Sequence, residues 1–384
     1  MMFARPKPAA YICQQCLRHC RRRLYSTKPD SATPPPPPPP SGRAQLTNRR
    51  LISLHGRDAP KFLQGIITAN VQPETRAGLY TAFLNAQGRV LSDAFVYPTL
   101  GSRWHQDENR DEDVGFLVEV DNEQADSLFK QLKKHKLRSK FKLRMLEPAE
   151  LDVWSVWRED DRWTAHTKAA NEDGILGLTD CRAPGMGQRI LLRSGEKDGI
   201  AETDEAPLTA YDIRRYMRGV AEGQKEIPKE ESLPMNHNID LMGGIDFKKG
   251  CYVGQELTIR THHTGVVRRR ILPVALYDHA HEPPAKLKYD GLGQEVAADT
   301  DIKRDDKRKR ATGKYITGIG NIGLATCRLE QMSDLKVSGE GSSFSPEDHF
   351  LVQSTNGEEL GVKAFVPDWI RNHVREPKVQ KRVG

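Results

Sequence analysis

Long apolar runs are missing from this chain of 384 residues, whose mean hydropathy is −0.65. A membrane-spanning helix needs about 20 consecutive, mostly apolar residues, and no segment approaches that length. We therefore expect a soluble protein without a membrane span. The chain is long enough for two or three domains, each with its own hydrophobic core.

Cysteine is also scarce, and half of the six cysteines lie near the amino terminus. Cys13, Cys16 and Cys20 form a C-x2-C-x3-C cluster, but no fourth ligand follows at zinc-finger spacing, apart from His19 inside the cluster. We therefore expect no zinc site there. The remaining cysteines are Cys181, Cys251 and Cys327. Three cysteines do not make a disulfide framework, which fits a reducing compartment.

Surplus basic charge is absent from most of the chain, although the formal net charge is +7. Residues 1–43 hold eight lysines and arginines and one acid, Asp30, whereas the rest holds 51 basic and 51 acidic residues. A protein that binds nucleic acid through phosphate contacts needs an excess of positive charge. The composition therefore argues against nucleic-acid binding by the folded part.

The basic leader has the features of a mitochondrial presequence. It is rich in arginine, almost free of acids, and lacks the apolar core of a secretory signal. The alternative is a disordered basic tail that binds nucleic acid. We predict import into the mitochondrial matrix and removal of a leader that ends near residues 23–27. Seven prolines follow at 34–40, which we interpret as an extended spacer, with the first folded residues near Leu46.

The first third of the folded part has the pattern of an α+β unit. Asp58 and Pro60 are suited to start a helix, and Gly88 is suited to end a hairpin turn. The predicted elements are strands at 51–54, 80–84, 89–97 and 116–120 and helices at 58–67 and 122–135. Strands that alternate with helices and hairpins predict a ferredoxin-like unit. Residues 103–113 are charged and predict a loop insertion.

A second strand-rich segment follows at 151–192, and a helix at 207–218 is ended by Gly219. Its tryptophans are Trp154, Trp157 and Trp163. They could stack on a ligand, but the alternation of apolar and polar residues around them favours a buried sheet face.

From residue 269 onward, short strands separated by glycine and proline predict a small β-barrel. Residues 300–314 and 331–346 are polar and are predicted to be disordered insertions.

The most informative stretch is residues 249–256, with the sequence KGCYVGQE, here called the octapeptide. Glycines on both sides of Cys251 allow a sharp turn, which would place the thiol on an accessible loop. Lys248 and Lys249 would favour the thiolate, which is the nucleophilic and metal-binding form. The alternative is structural, with Cys251 as a small buried residue and the glycines serving only the turn. Physical reasoning alone leaves both open.

Four motifs lie close together in this region. They are PMNHNID at 234–240, GIDFKK at 244–249, the octapeptide, and RTHHTGVVR at 260–268. Together they resemble the signature of the YgfZ-type proteins, relatives of the glycine-cleavage aminomethyltransferase. Within that family the chain is most similar to the branch of mitochondrial iron–sulfur cluster assembly factors of fungi and animals. The resemblance covers residues 43–365 in segments.

The resemblance implies an α+β fold in which three domains surround a central cavity. The predicted divisions are a presequence and spacer at 1–42, a ferredoxin-like domain at 43–147, a central α+β domain with the octapeptide at 148–268, and a β-barrel domain with polar insertions at 269–384.

The resemblance also implies a function in iron–sulfur cluster assembly, in which A-type cluster carriers and 4Fe–4S client proteins are the partners. True aminomethyltransferases lack the cysteine motif, so Cys251 is expected to make transient contact with iron in this branch. A stable cluster needs about four protein ligands, so no resident cluster is expected. His262 and His263 would point to opposite faces of a strand, so at most one could join Cys251.

Tetrahydrofolate is the cofactor that the resemblance implies for the cavity. The candidate cofactor-binding residues are Lys249, Gly250, Tyr252, Gly254, Gln255, Glu256 and Arg260. The pterin-anchoring glutamate of the transferase corresponds here to Met217, so Glu222 or Glu256 would have to replace it.

Asp93 is a second candidate catalytic residue beside Cys251. The transferase has a pair of aspartates at this position, and here Ser92 replaces one of them. Aminomethyl transfer needs a positioned carboxylate and a fixed pterin. Because one aspartate of the pair and the pterin-anchoring glutamate are replaced here, we expect no classical turnover. A folate-dependent one-carbon transferase is the alternative function. Asp93 also has a structural alternative as a residue that stabilises a turn or a strand edge.

Overall fold

The computed structural model describes residues 34–374, with the exception of 72–76, 109–113, 160–174, 198–199, 201, 308–309 and 339–341. The amino-terminal cysteines and most of the predicted presequence lie outside the described residues. Within these ranges, no helix combines the length and the apolar character needed to cross a membrane.

The strands and helices follow the chain in this order. The strands are β1 (Ser41–Gln45), β2 (Arg49–His55), β3 (Leu79–Leu84), β4 (Val90–Pro98), β5 (Gly115–Asp121), β6 (Lys142–Met145), β7 (Leu151–Arg158), β8 (Leu176–Thr179), β9 (Gln188–Arg193), β10 (Asp204–Glu205), β11 (Arg269–Asp278), β12 (Asp301–Arg304), β13 (Ala311–Ile319), β14 (Ile322–Arg328), β15 (Phe350–Gln353) and β16 (Glu359–Ala364). The helices are α1 (Ala59–Ile66), α2 (Arg103–Glu108), α3 (Ala125–Lys136), α4 (Leu208–Arg218), α5 (Gln255–Thr264), α6 (Leu329–Met332) and α7 (Asp368–Arg371), with 3₁₀ turns at Asn122–Gln124 and Pro234–His237.

The first sheet is antiparallel and has the strand order β3-β4-β5-β2-β6. With α1 after β2 and α3 before β6, the strands β2, β4, β5 and β6 form a βαββαβ unit, and β3 adds an edge strand. Gly88 has φ +79° in the β3–β4 turn, a conformation that glycine adopts without steric cost. The predicted ferredoxin-like unit is confirmed.

Both faces of this sheet are buried. On one face, Phe62 of α1 and Leu132 of α3 pack with Ile52 of β2. On the other face, Phe95 of β4 shares a core with Trp157 of the second sheet. Because a sheet covered on both sides has few solvent-facing positions, all nine residues of β4 are buried.

The second sheet has the order β10-β1-β7-β9-β8 and packs against α4. Its strand β1 pairs with β7 along its whole length, so regular structure begins at Ser41, earlier than the predicted start near Leu46. Trp154 and Trp157 are buried, which confirms their interpretation as core residues. Trp163 lies outside the described residues.

The third unit is a closed barrel with the strand order β11-β14-β13-β12-β15-β16, as predicted. The prediction that the two polar insertions are disordered is wrong for their described residues, while 308–309 and 339–341 lie outside the described ranges. Residues 300–314 contain β12 and the start of β13, with Ile302 fully buried, and residues 331–346 place Leu335 and Val337 in the barrel core. Short barrel strands bury only alternate residues, so one apolar side chain can suffice where the composition is polar.

The predicted loop insertion at 103–113 is also wrong over its first half. Residues 103–108 form α2, which buries Trp104 and His105. The charged composition of this segment favoured a loop, but the helix directs the two large side chains of Trp104 and His105 into the interior. Residues 109–113 lie outside the described residues.

Residues 35–40, here called the proline strap, run across the body of the protein. The Tyr289 hydroxyl donates a hydrogen bond to the carbonyl of Pro35 at 2.6 Å. The Trp157 indole N–H donates to the carbonyl of Pro39 at 2.9 Å. An extended proline backbone makes no internal hydrogen bonds, so its carbonyls are free to accept such donors. The interpretation of these prolines as a mere spacer is wrong.

We expect Tyr289→Phe to lower the free energy of unfolding by about 0.5–1.5 kcal/mol, because it removes the hydrogen bond to Pro35 and keeps the ring. Urea unfolding of the purified protein measures the change. Tyr277→Phe is the matched control in the barrel, since the Tyr277 hydroxyl makes only a 3.5 Å contact with His349. In a chain that lacks residues 1–38, Tyr289→Phe should cost nothing further; an equal loss in both chains would contradict the role of the strap.

Candidate functional site

The octapeptide is a loop that leads into a helix. Gly254 has φ +78° and immediately precedes α5, so the last two residues of the octapeptide form its first turn. The prediction of a strand at His262 and His263 is therefore wrong, because both residues lie in α5. Helix α5 contains β-branched threonine and isoleucine, which have low helix propensity, so the sequence does not distinguish helix from strand there.

Two glycines hold the octapeptide against the β3–β4 turn. A Cβ atom on Gly254 would lie 2.2 Å from the carbonyl oxygen of Asn85, and one on Gly88 would lie 3.0 Å from the carbonyl oxygen of Gly254. Both positions also have positive φ, where a side chain adds strain. The position of the Cys251 loop is thus set by backbone-to-backbone packing that only glycine permits.

Lys249 anchors the other end of the loop. Its ammonium group donates to the carbonyls of Ile67 and Ala69 at 2.8 and 2.6 Å, and lies 5.1 Å from the centre of the Tyr252 ring. Burial lowers the pKa of Lys249 to about 8. The carbonyls after α1 therefore hold the cation that the sequence suggested would activate the thiol.

Tyr252 and Gln255 close the turn from inside. The Tyr252 ring is buried, and burial raises the pKa of its hydroxyl to about 12. The backbone N–H of Tyr252 donates to the side-chain oxygen of Gln255 at 3.2 Å. These two candidate cofactor-binding residues shape the loop, whereas Gly250 and Cys251 are exposed on it.

The three cysteines of the folded part differ in access. Cys251 is exposed, whereas Cys327 is fully buried in the barrel core. Cys181 has an exposed surface, but its thiol lies 3.7 Å from the carbonyl of Met242, and burial together with the charge of Asp180 raises its pKa to about 11. Cys251 is therefore the thiol best placed to meet a partner.

The remaining candidates on α5 lie around the helix. His262 stacks on Phe247 with ring centroids 3.6 Å apart, and His263 meets His262 edge-on. Successive helical residues are turned by about 100°, so the expectation of opposite faces is wrong. Glu256, Arg260 and His263 share the exposed side of α5. The ranges described hold no group of three histidine, cysteine or acidic side chains arranged for a metal ion.

Asp93, in contrast, lies in the interior. It is 0% exposed, accepts a hydrogen bond from the Gly223 N–H at 3.1 Å, and has its other oxygen 3.9 Å from Arg49. Burial raises the pKa of Asp93, although Arg49 acts in the opposite direction. The structure thus separates the two candidate catalytic residues, with Cys251 at the surface and Asp93 enclosed.

Asp93 borders a buried ion network that the sequence did not reveal. Glu119 of β5 accepts from Arg49 at 2.8 Å and pairs with Arg189 of β9. Glu222 pairs with Arg182 at 2.7 Å and also with Arg189. Burial alone would raise the pKa of Glu222, but the guanidinium groups of Arg189 and Arg182 outweigh it and hold the pKa well below its usual range.

The network joins the first two sheets, because Glu119 belongs to one and Arg189 to the other. The signal in the sequence is a charged residue next to apolar residues within a strand: Glu119 lies between two valines in FLVEV at 116–120, and Arg189 precedes ILL in QRILLR at 188–193. Such residues are almost never fully buried unless they are paired. The pattern therefore predicts that each of these charged residues has an oppositely charged partner, but it does not identify that partner.

Comparison with known proteins agrees with this architecture. The family model for the CAF17 C-terminal beta-barrel domain matches residues 268–372. In the glycine cleavage system aminomethyltransferase T from Bartonella henselae the fold is similar, with a TM-score of 0.59, 13% identity and coverage of 88% of each chain. At that identity the likeness concerns the fold.

Relatives in fungi are similar over nearly the whole chain. The protein described as iron–sulfur cluster assembly factor IBA57 homolog, mitochondrial, of Pyricularia oryzae is 46% identical over 95% of this chain and 93% of its own length. The protein of the same description from Aspergillus fumigatus is 43% identical over 94% and 90%, respectively. This confirms the resemblance drawn from the four motifs, and the chain belongs to the family of mitochondrial iron–sulfur cluster assembly factors IBA57.

Proposed function

We propose that this protein promotes iron–sulfur cluster assembly in the mitochondrial matrix, for the maturation of 4Fe–4S proteins. The observation that carries the proposal is an exposed cysteine on a loop fixed by glycine packing, in a chain with near full-length similarity to assembly factors. The arginine-rich leader supports the location.

Cys251 acts in this proposal as a soft ligand that contacts iron only while the cluster is transferred. Thiolates are preferred ligands of iron–sulfur clusters, but a stable cluster needs about four protein ligands. Cys327 is buried in the barrel core, and the described ranges hold no group of three histidine, cysteine or acidic side chains arranged to bind a metal ion. A partner protein must therefore supply the remaining ligands, and the cluster is cargo. A-type cluster carriers are the partners we propose for this step.

The rest of the octapeptide serves the position of Cys251. Lys249, Tyr252 and Gln255 are committed to contacts within the loop, and Gly254 to the β3–β4 turn. A loop held at both ends presents the thiol in one place, which lowers the entropic cost of forming a complex. Glu256 and Arg260 remain at the surface beside it.

A pterin does not fit the residues around Asp93 in this arrangement. The Glu222 carboxylate is already paired with two arginines. The ring of Phe95 is covered by the guanidinium groups of Arg189 and Arg182, whose central carbons lie 4.1 and 4.9 Å from its centre. The Glu222 carboxylate and the aromatic surface of Phe95 are thus occupied, and Glu256, the other candidate carboxylate, lies on the exposed side of α5. This arrangement therefore favours neither bound tetrahydrofolate nor aminomethyl transfer.

Deletion of the gene should lower the activities of 4Fe–4S enzymes in the matrix, because the proposed function lies in their maturation. Enzyme assays in isolated mitochondria measure this, with matrix enzymes that lack iron as the control. Normal 4Fe–4S activities in the deletion strain would contradict the proposed function.

Cys251→Ser should fail to restore those activities while leaving the thermal midpoint nearly unchanged, because an exposed side chain contributes little packing. Cys181→Ser is the control and should restore them. In the wild-type protein, iodoacetamide should modify Cys251 before Cys181 and Cys327, as followed by mass spectrometry, because Cys251 is exposed and burial raises the pKa of the other two thiols. Full rescue by Cys251→Ala would leave the octapeptide with a backbone role alone.

Calorimetric titration with tetrahydrofolate should give no saturable binding, because the partners of a pterin are paired with arginines. Arg182→Ala is the informative comparison, since it removes one of the two guanidinium groups over Phe95 and one of the two arginines paired with Glu222. Saturable binding to the wild-type protein would show that the arginines yield to the ligand and would restore folate to the proposed function.

A further inference from the structure

A groove runs along the side of α5 that faces away from the exposed stripe of Glu256, Arg260 and His263. It lies between α5, the 3₁₀ turn Pro234–His237 and the segment that leads into β11. Its lining includes Leu233, Pro234, Met235, Leu257, Thr258 and Val266. The lining is therefore mostly apolar, and its uncharged polar side chains are Asn236, Thr258 and Thr261, whose hydroxyl donates to the carbonyl of Leu257 at 2.8 Å.

The groove is preformed. Arg270 donates to the carbonyl of Met235 at 2.7 Å and pairs with Asp240 at 2.8 Å, which ties the 3₁₀ turn to β11. Thr258 lines the groove and is 3% exposed, and its hydroxyl has no hydrogen-bond partner in the part of the chain that the structure describes. A buried hydroxyl without a partner is costly, and a polar backbone group of a ligand would satisfy it.

The rim of the groove is basic and includes an exposed apolar side chain. Val266 is 46% exposed, and Arg268 and Arg269 are exposed beside it. In the barrel, Arg269 of β11 lies directly opposite Arg328 of β14. Like charges in direct cross-strand register destabilise a sheet. Arg268 interacts electrostatically with Glu330, but neither Arg269 nor Arg328 forms an ion pair with any residue in the described ranges. The positive charge that the structure leaves unrelieved at this edge is therefore that of the opposed Arg269 and Arg328.

We propose that this groove docks an acidic segment of the protein that exchanges a cluster at Cys251, with an apolar side chain of that segment inserted beside Val266 and Leu257. The proposal rests on the proposed function and specifies the chemistry of its partner. Carboxylates of the segment would neutralise the opposed arginines. Nucleic acid is the less suitable occupant, because the floor lacks the aromatic side chains on which bases stack.

The groove and Cys251 are close enough for one partner. Cys251 lies four residues before Gln255, the first residue of α5. A ten-residue helix such as α5 is about 15 Å long. A partner seated along α5 would therefore have its cluster ligands within reach of the thiol. Docking at the groove would hold the partner in place while the cluster is exchanged at the Cys251 thiolate. It would thereby raise the effective concentration of the partner's cluster ligands at the thiol.

The test is fluorescence anisotropy with a purified, labelled A-type carrier as the probe and the processed protein with its strap. Arg269→Glu should weaken binding about tenfold, through a charge that now repels the segment. The same variant should melt at an equal or higher temperature, because Glu opposite Arg328 makes a favourable cross-strand pair. Binding to the wild-type protein should weaken as salt is raised.

Matched controls separate the groove from general surface effects. Arg138→Glu changes an exposed arginine in the turn after α3 and should bind as the wild type does. Val266→Ser should also weaken binding, whereas Leu292→Ser, at a 70% exposed leucine in the barrel unit, should not. Competition by single-stranded DNA of mixed sequence, without an effect of Val266→Ser, would assign the edge to nucleic acid and overturn the proposal.

Two further outcomes would overturn the docking proposal without touching the proposed function. One is wild-type affinity in both Arg269→Glu and Val266→Ser. The other is no binding of the carrier to the wild-type protein while deletion of the gene still lowers 4Fe–4S activities. A lower melting temperature for Arg269→Glu would show that the opposed arginines are not an unrelieved repulsion, and would remove the charge argument.

Discussion

The structure depends on the ion network buried between its first two sheets. Charges removed from water are tolerated only when they are paired, and loss of one partner from such a pair costs about 3–5 kcal/mol. Glu119 and Glu222 each meet two arginines, and Arg189 belongs to both groups. Arg189 therefore fixes the position of the second sheet relative to the first. It does so more strictly than apolar contacts would, because ion pairs are directional.

This network also decides where chemistry can occur. The ion network occupies the interior between the first two sheets. Asp93 is therefore enclosed, and its neighbouring side chains are paired with each other. The octapeptide, by contrast, lies at the end of the same β3–β4 hairpin that carries Asp93, and is packed there through Gly88 and Gly254. The hairpin thus links a closed interior to an exposed thiol on one rigid support.

Much of this arrangement could be predicted from the sequence. The spacing of apolar residues and turns indicated the ferredoxin-like unit and the barrel, and the glycines around Cys251 indicated a turn. The sequence did not indicate strand β12, because Ile302 is its only fully buried residue. It did not indicate α5, because the threonines and isoleucine of this helix favour neither helix nor strand strongly. The pairing of Glu119 with Arg189 joins residues 70 positions apart, and periodicity within one element contains no information about such a partner.

The proline strap has a mechanical consequence. A pull on the amino-terminal end of the chain meets the Tyr289–Pro35 hydrogen bond first and the Trp157–Pro39 bond next, so these contacts break one after the other. The load then reaches β1, which lies inside the second sheet between β10 and β7 and must be sheared out along its full ladder. The folded protein should therefore yield to traction from this end in two stages, a soft peeling of the strap and a stiff resistance at β1.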